Sequence, residues 1–137
     1  DSIPKPVTCI NFASPRVGDG NFLGAIEHLE KYSKLRHLRV DNENDSITVM
    51  PTFGFTHVGM MVKLHEAASR LPEFSYAKSC ESWGSCFGRA VDMSWPASFN
   101  VTYDHGEYRE RMDTHKETLK KYHLNEMYKN LAGFDLS

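Results

Sequence analysis

At 137 residues, 40% hydrophobic and 25% charged, the chain has the size and make-up of one folded domain, which excludes a disordered tail. Lys+Arg 16 against Asp+Glu 18 gives a net charge of -2, so there is no cationic excess to meet a phosphate backbone, and nucleic acid is excluded as the expected partner. No apolar run nears the roughly 20 residues that span a bilayer, and a transmembrane chain is not expected.

The chain opens on Asp1-Ser2-Ile3-Pro4-Lys5-Pro6, with neither the charged nor the apolar stretch of a signal peptide, and is expected to be cut from a longer polypeptide. Val7 to Ala13 is a nearly continuous run of β-formers and reads as a central parallel strand covered on both faces. A turn-rich loop, Ser14 to Asn21, leads into a helix with Asp19 as N-cap and Phe22, Ile26 and Leu29 as its buried stripe. Leu35 to Val40 reads as a second strand, with Leu38 and Val40 on one face and His37 and Arg39 on the other. These pieces form a βαβ unit with parallel strands.

The second strand runs into Asp41-Asn42-Glu43-Asn44-Asp45-Ser46, a cluster of turn formers at a strand's carboxyl end, where ligands and reacting groups gather in open α/β sheets. A third strand is expected over Thr56 to Leu64, and residues 66–104 read as a long excursion of the kind that forms lids or binding loops. From about Glu107 to Leu131 a long helix is expected, with Tyr108, Met112, His115, Leu119 and Tyr122 as its stripe. No repeat or change of composition marks a boundary, so residues 1–137 are taken as one α/β unit.

The run Ile10-Asn11-Phe12-Ala13-Ser14-Pro15-Arg16-Val17-Gly18-Asp19 resembles the strand and loop that follow the nucleophile helix in the lipase class 3 family of α/β hydrolases. Leu38-Arg39-Val40-Asp41-Asn42-Glu43-Asn44-Asp45-Ser46-Ile47 with Pro51 resembles that family's next strand and acid-bearing loop, and Tyr103-Asp104-His105 stands where the family places its histidine. The resemblance implies the C-terminal part of an α/β-hydrolase fold, a mostly parallel sheet flanked by helices. It implies carboxylic ester hydrolysis, of acylglycerols or related acyl lipids, by a Ser-Asp-His triad with Asp45 as acid and His105 as base. The expected partners are an acyl-lipid substrate, a lipid interface and the N-terminal part of the same protein; no cofactor is implied. Thr48 in place of the family's usual proline, and Gly106-Glu107 after the histidine, depart from the pattern. No G-x-S-x-G occurs, so the nucleophile is expected upstream of Asp1 and these residues alone are expected to be inactive.

Simpler roles stand beside these. Asp45 also suits an Asx-turn, His105 a solvated loop or helix cap, and His115 a packed helix position. His57 and His65 lack a third ligand of suggestive spacing, and no metal is expected. Gly84-Ser85-Cys86-Phe87-Gly88 matches a nucleophile elbow with cysteine, but it follows Asp45 and has no strand before it; a Cys80–Cys86 loop disulfide, or two thiols, is the plainer reading. The alternative to an enzyme is a lipase-like scaffold or lipid-binding module without catalysis.

Overall fold

The computed structural model describes residues 4–51, 54–77 and 101–134. Its strands, β1 (Val7–Phe12), β2 (Leu35–Asn42), β3 (Met60–Leu64) and β4 (Glu73–Tyr76), form one sheet in that order. β1–β2 and β2–β3 are parallel, with Ile10 opposite Leu38 and Leu38 opposite Met60; β3–β4 is antiparallel. The mostly parallel sheet with helices is compatible with the α/β class the sequence points to.

The helix α1 (Gly20–Lys31) provides the crossover between β1 and β2, as the βαβ pattern requires. Asp19 caps it, its side chain accepting the N–H groups of Asn21 and Phe22 at 3.0 Å each. The face it buries is not the expected one. Leu23 and Glu30 are inside, whereas Phe22 and Leu29 are exposed. The reason lies in Glu30, whose carboxylate accepts the hydroxyls of Tyr76 at 2.5 Å and Tyr128 at 2.6 Å and the His37 N–H at 2.9 Å, so a charged residue takes an inward position that periodicity assigns to apolar ones.

Among the described residues β1 pairs with β2 alone and leaves Val7, Ile10 and Phe12 44%, 54% and 47% exposed, so the face and edge expected to be covered are open. One further expectation is corrected. The third strand starts at Met60, preceded by an isolated bridge between Gly18 and Thr56 that pins the β1–α1 loop. The expected excursion also contributes β4, and the Gly84-Ser85-Cys86-Phe87-Gly88 run and Cys80 lie outside the described residues.

After the short helix α2 (Val101–Gly106), the expected long helix is broken into α3 (Tyr108–Leu119) and α4 (Leu124–Met127), the latter continuing as a π-turn over Tyr128–Ala132. A straight helix from Glu107 to Leu131 would run roughly 38 Å, longer than the roughly 26 Å of an eight-residue strand, so the break folds it back onto the sheet. α3 packs Tyr108, Met112 and Leu119 on Val40, Val62 and Leu64. The last segment packs Tyr128, Ala132 and Phe134 on Met60, and Leu38 joins the two clusters. Gly133, at φ 75, ends the segment with its N–H on the Lys129 carbonyl.

Candidate active site

The carboxyl end of β2 turns sharply between Asn42 and Asp45. The Asp45 N–H bonds the Asn42 carbonyl at 3.2 Å, and Asn44 sits at φ 66, a conformation that asparagine adopts more readily than most residues. Asp45 then starts a 3₁₀ turn, Ser46–Val49: its Oδ1 accepts the Ile47 N–H at 3.0 Å, and Thr48 Oγ1 donates to its carbonyl at 2.8 Å. The Asx-turn expected as the simpler role is therefore present, but it occupies one carboxylate oxygen.

The other oxygen faces His105. His105 Nδ1 lies 3.0 Å from Asp45 Oδ2, bringing together two residues 60 positions apart. The Asp45 side chain is fully buried, while His105 is 43% exposed. His105 stands in the last turn of α2 rather than in a loop. Asn42 Nδ2 anchors that helix by donating to the Asp104 carbonyl at 2.7 Å, and the buried Asp104–Arg111 ion pair ties it to α3. Arg111 Nη1 also donates to the Glu43 carbonyl at 2.9 Å, so one guanidinium braces both sides of the site.

One participant was missed in the sequence. The Tyr108 hydroxyl donates to Asp45 Oδ2 at 2.7 Å and accepts the Asn42 N–H at 3.0 Å. Burial above all, then its bond to the Asp45 carboxylate, pushes its pKa well above the usual tyrosine range. Its position in the apolar stripe of α3 pointed to packing, which it also does; only the hydroxyl carried the other signal. Beneath the site, Arg39 Nε and Asp41 Oδ2 pair at 3.0 Å. Burial holds the Asp41 pKa above the usual carboxylate value, against the opposing pull of Arg39.

The remaining histidines fall elsewhere. His65 is buried with Nδ1 3.2 Å from Glu43 and Nε2 3.2 Å from Glu73, and its carbonyl lies 2.7 Å from Nε2 of the buried His115. His57 lines a cavity of about 220 Å³ with Asn11, Phe22, His37 and Arg39, to which neither Asp45 nor His105 contributes. Burial first, then Arg39 and Arg16, depresses the His57 pKa to about 3. Among the described residues no three His, Cys, Asp or Glu side chains are grouped as a metal would need, and no helix is long and apolar enough to cross a membrane.

This geometry can be set beside known proteins. The chain is 45% identical over 69 residues to "Phospholipase A1-II 7" of Oryza sativa subsp. indica, a match covering 50% of this chain and 16% of that protein. It is similar to plant phospholipases A1. A second, "Phospholipase A1-IIgamma" of Arabidopsis thaliana, is 44% identical over 54 residues, 39% of this chain and 12% of that protein. The chain thus spans less than a fifth of the length of these two relatives. No family model and no solved structure matches.

Proposed function

We propose that residues 1–137 are the C-terminal part of a lipase class 3 α/β-hydrolase domain, and that Asp45 and His105 are the acid and base of a serine hydrolase cleaving an acyl ester of a phospholipid. The observation that carries this reading is the buried Asp45 carboxylate 3.0 Å from the Nδ1 of a half-exposed His105. The similarity to two phospholipases A1 favours a phospholipid over the acylglycerol that the resemblance alone implies.

In the proposed reaction the nucleophilic serine belongs to residues outside these 137. With Nδ1–H held by Asp45, the imidazole presents Nε2 as the base. It takes the serine proton as the serine oxygen attacks the ester carbonyl, then returns that proton to the departing alcohol oxygen as the carbon–oxygen bond breaks. Water repeats the sequence on the acyl-enzyme and releases the fatty acid. Asp45 keeps the imidazole in the tautomer that leaves Nε2 unprotonated and stabilises the imidazolium that forms.

The test is phospholipid and triacylglycerol hydrolysis by the complete polypeptide carrying these residues, in parent, Asp45→Asn and His105→Ala forms. The expected result is a preference for phospholipid and a fall in kcat of about 10⁴-fold in either variant. Unchanged rates would remove both residues from catalysis, and a parent with no hydrolysis but retained lipid binding would favour the non-catalytic module.

A further inference from the structure

Tyr108 makes contacts that converge on the Asp45–His105 pair. Its hydroxyl donates to Asp45 Oδ2 at 2.7 Å, the oxygen that also faces His105 Nδ1 at 3.0 Å. The hydroxyl cannot drift, because it accepts the Asn42 N–H at 3.0 Å. Its ring is edge-on to His105, with centroids 6.4 Å apart and planes at 88°, and edge-on to Phe12 at 5.9 Å and 78°. Asp45 Oδ1 is held separately by the Ile47 N–H.

Two donors on one carboxylate oxygen compete. Charge drawn toward the tyrosine proton is withheld from an imidazolium, so the hydroxyl weakens the pull of Asp45 on a protonated histidine while fixing the carboxylate in the plane that meets Nδ1. We propose that Tyr108 is a positioning residue for the hydrolytic reaction, acting through Asp45 to orient His105 and to temper its basicity. This rests on the assignment of Asp45 and His105 above. With its pKa raised, the phenol stays protonated, and so remains a donor, across the neutral range.

The other charges near this cluster form one opposite-charge pair, on which Arg16 and Lys63 also act, and one group of three centred on Arg111. Arg39 and Asp41 project from β2, and Asp104 on α2 pairs with Arg111 on α3, which Glu107 also approaches at 4.0 Å. In each, the guanidinium faces carboxylates, and none of these residues is altered in the variants that test the role.

The test is the pH dependence of kcat/KM for phospholipid hydrolysis by the complete polypeptide in Tyr108→Phe, Asp45→Asn and the double variant, with urea midpoints recorded for each. Tyr108→Phe keeps the ring and removes the hydroxyl. It is expected to lower kcat about tenfold and to move the acidic limb of the profile upward by roughly half a unit to one unit. In the Asp45→Asn background the same change is expected to move the limb no further. A Tyr108→Phe variant with a lowered urea midpoint but an unmoved limb would show a structural role only and overturn the proposal. Full activity in Asp45→Asn would overturn the assignment of the acid, and this proposal with it.

Discussion

Glu30 in α1 and Tyr128 in the final segment, 98 positions apart, share a 2.6 Å hydrogen bond in which the phenol donates to Glu30 Oε1. The Tyr76 hydroxyl reaches Oε2 at 2.5 Å, so one buried carboxylate joins the crossover helix, the outer strand β4 and the C-terminal segment. Glu30→Ala leaves both phenols without this acceptor and is expected to cost about 2–4 kcal/mol, measured by urea unfolding. Tyr128→Phe, which removes one donor, is expected to cost about 1–2 kcal/mol.

The same group sets an alkaline limit. Burial, then the Glu30 carboxylate, raises the pKa of Tyr76 and of Tyr128 well above the ordinary value. Above a pH of about 10 the unfolded chain gives up these protons while the folded chain keeps them, so stability is full below that point and falls as pH rises past it. The double variant Tyr76→Phe/Tyr128→Phe is expected to flatten that fall in a series of urea midpoints from neutral to alkaline pH.

His57 gives the opposite dependence. Its pKa is depressed to about 3 from 6.5, so between those values the unfolded chain takes up a proton that the folded chain refuses. The stability it contributes is present above pH 6.5 and is lost as pH falls toward 3. His57→Gln is expected to remove this part of the acid sensitivity, seen as a shallower slope of unfolding free energy against pH. An unchanged slope would mean that His57 is solvated.

Arg111 is expected to be the most sensitive charged position near the site. Arg111→Met strands the buried Asp104 carboxylate and frees the Glu43 carbonyl, at a cost of about 3–5 kcal/mol. Adding Asp104→Leu is expected to recover part of this, because an apolar pair no longer buries a lone charge. Chemical denaturation of the two variants checks both statements.

Gly59 and Gly24 form a matched pair. Gly59 lies at φ +70, and a Cβ there would come within 2.4 Å of the His37 carbonyl oxygen, whereas a Cβ on Gly24 meets nothing within 4 Å. Gly59→Ala is expected to destabilise by more than about 1 kcal/mol, and Gly24→Ala, inside α1, to stabilise by up to about 1 kcal/mol. Thermal melting of the two variants reads both signs.

The βαβ unit, its parallel strands and the Asp19 cap were legible because each rests on local signals: a β-rich run, a turn with a capping side chain, and alternation in Leu38 and Val40. The meeting of Asp45 with His105 was expected from two motifs of a family resemblance, not from periodicity. What escaped was non-local. The stripe on α1 was misplaced because Glu30 is buried by donors from β4 and the C-terminal segment. The end of the last helix was misjudged because the length of the strands it packs on, not helix propensity, limits how far it can run. Tyr108 read as an apolar packing residue because its hydroxyl acquires meaning only beside Asp45.

The hydrogen bonds that complete the site and the core join residues far apart along the chain: 63 positions between Tyr108 and Asp45, and 98 between Tyr128 and Glu30. Closing loops of that length costs chain entropy before any contact repays it, so such contacts form slowly relative to local helices and turns. The β1–α1–β2 unit can therefore collapse before Asp45 has met His105. Both long-range closures depend on segments after Gly106, so a chain halted or clipped there would keep Asp45 and His105 but lose Tyr108, Arg111 and Tyr128. The Tyr108–Asp45 and Tyr128–Glu30 bonds, rather than the Asp45–His105 contact itself, therefore report that the C-terminal segments have docked.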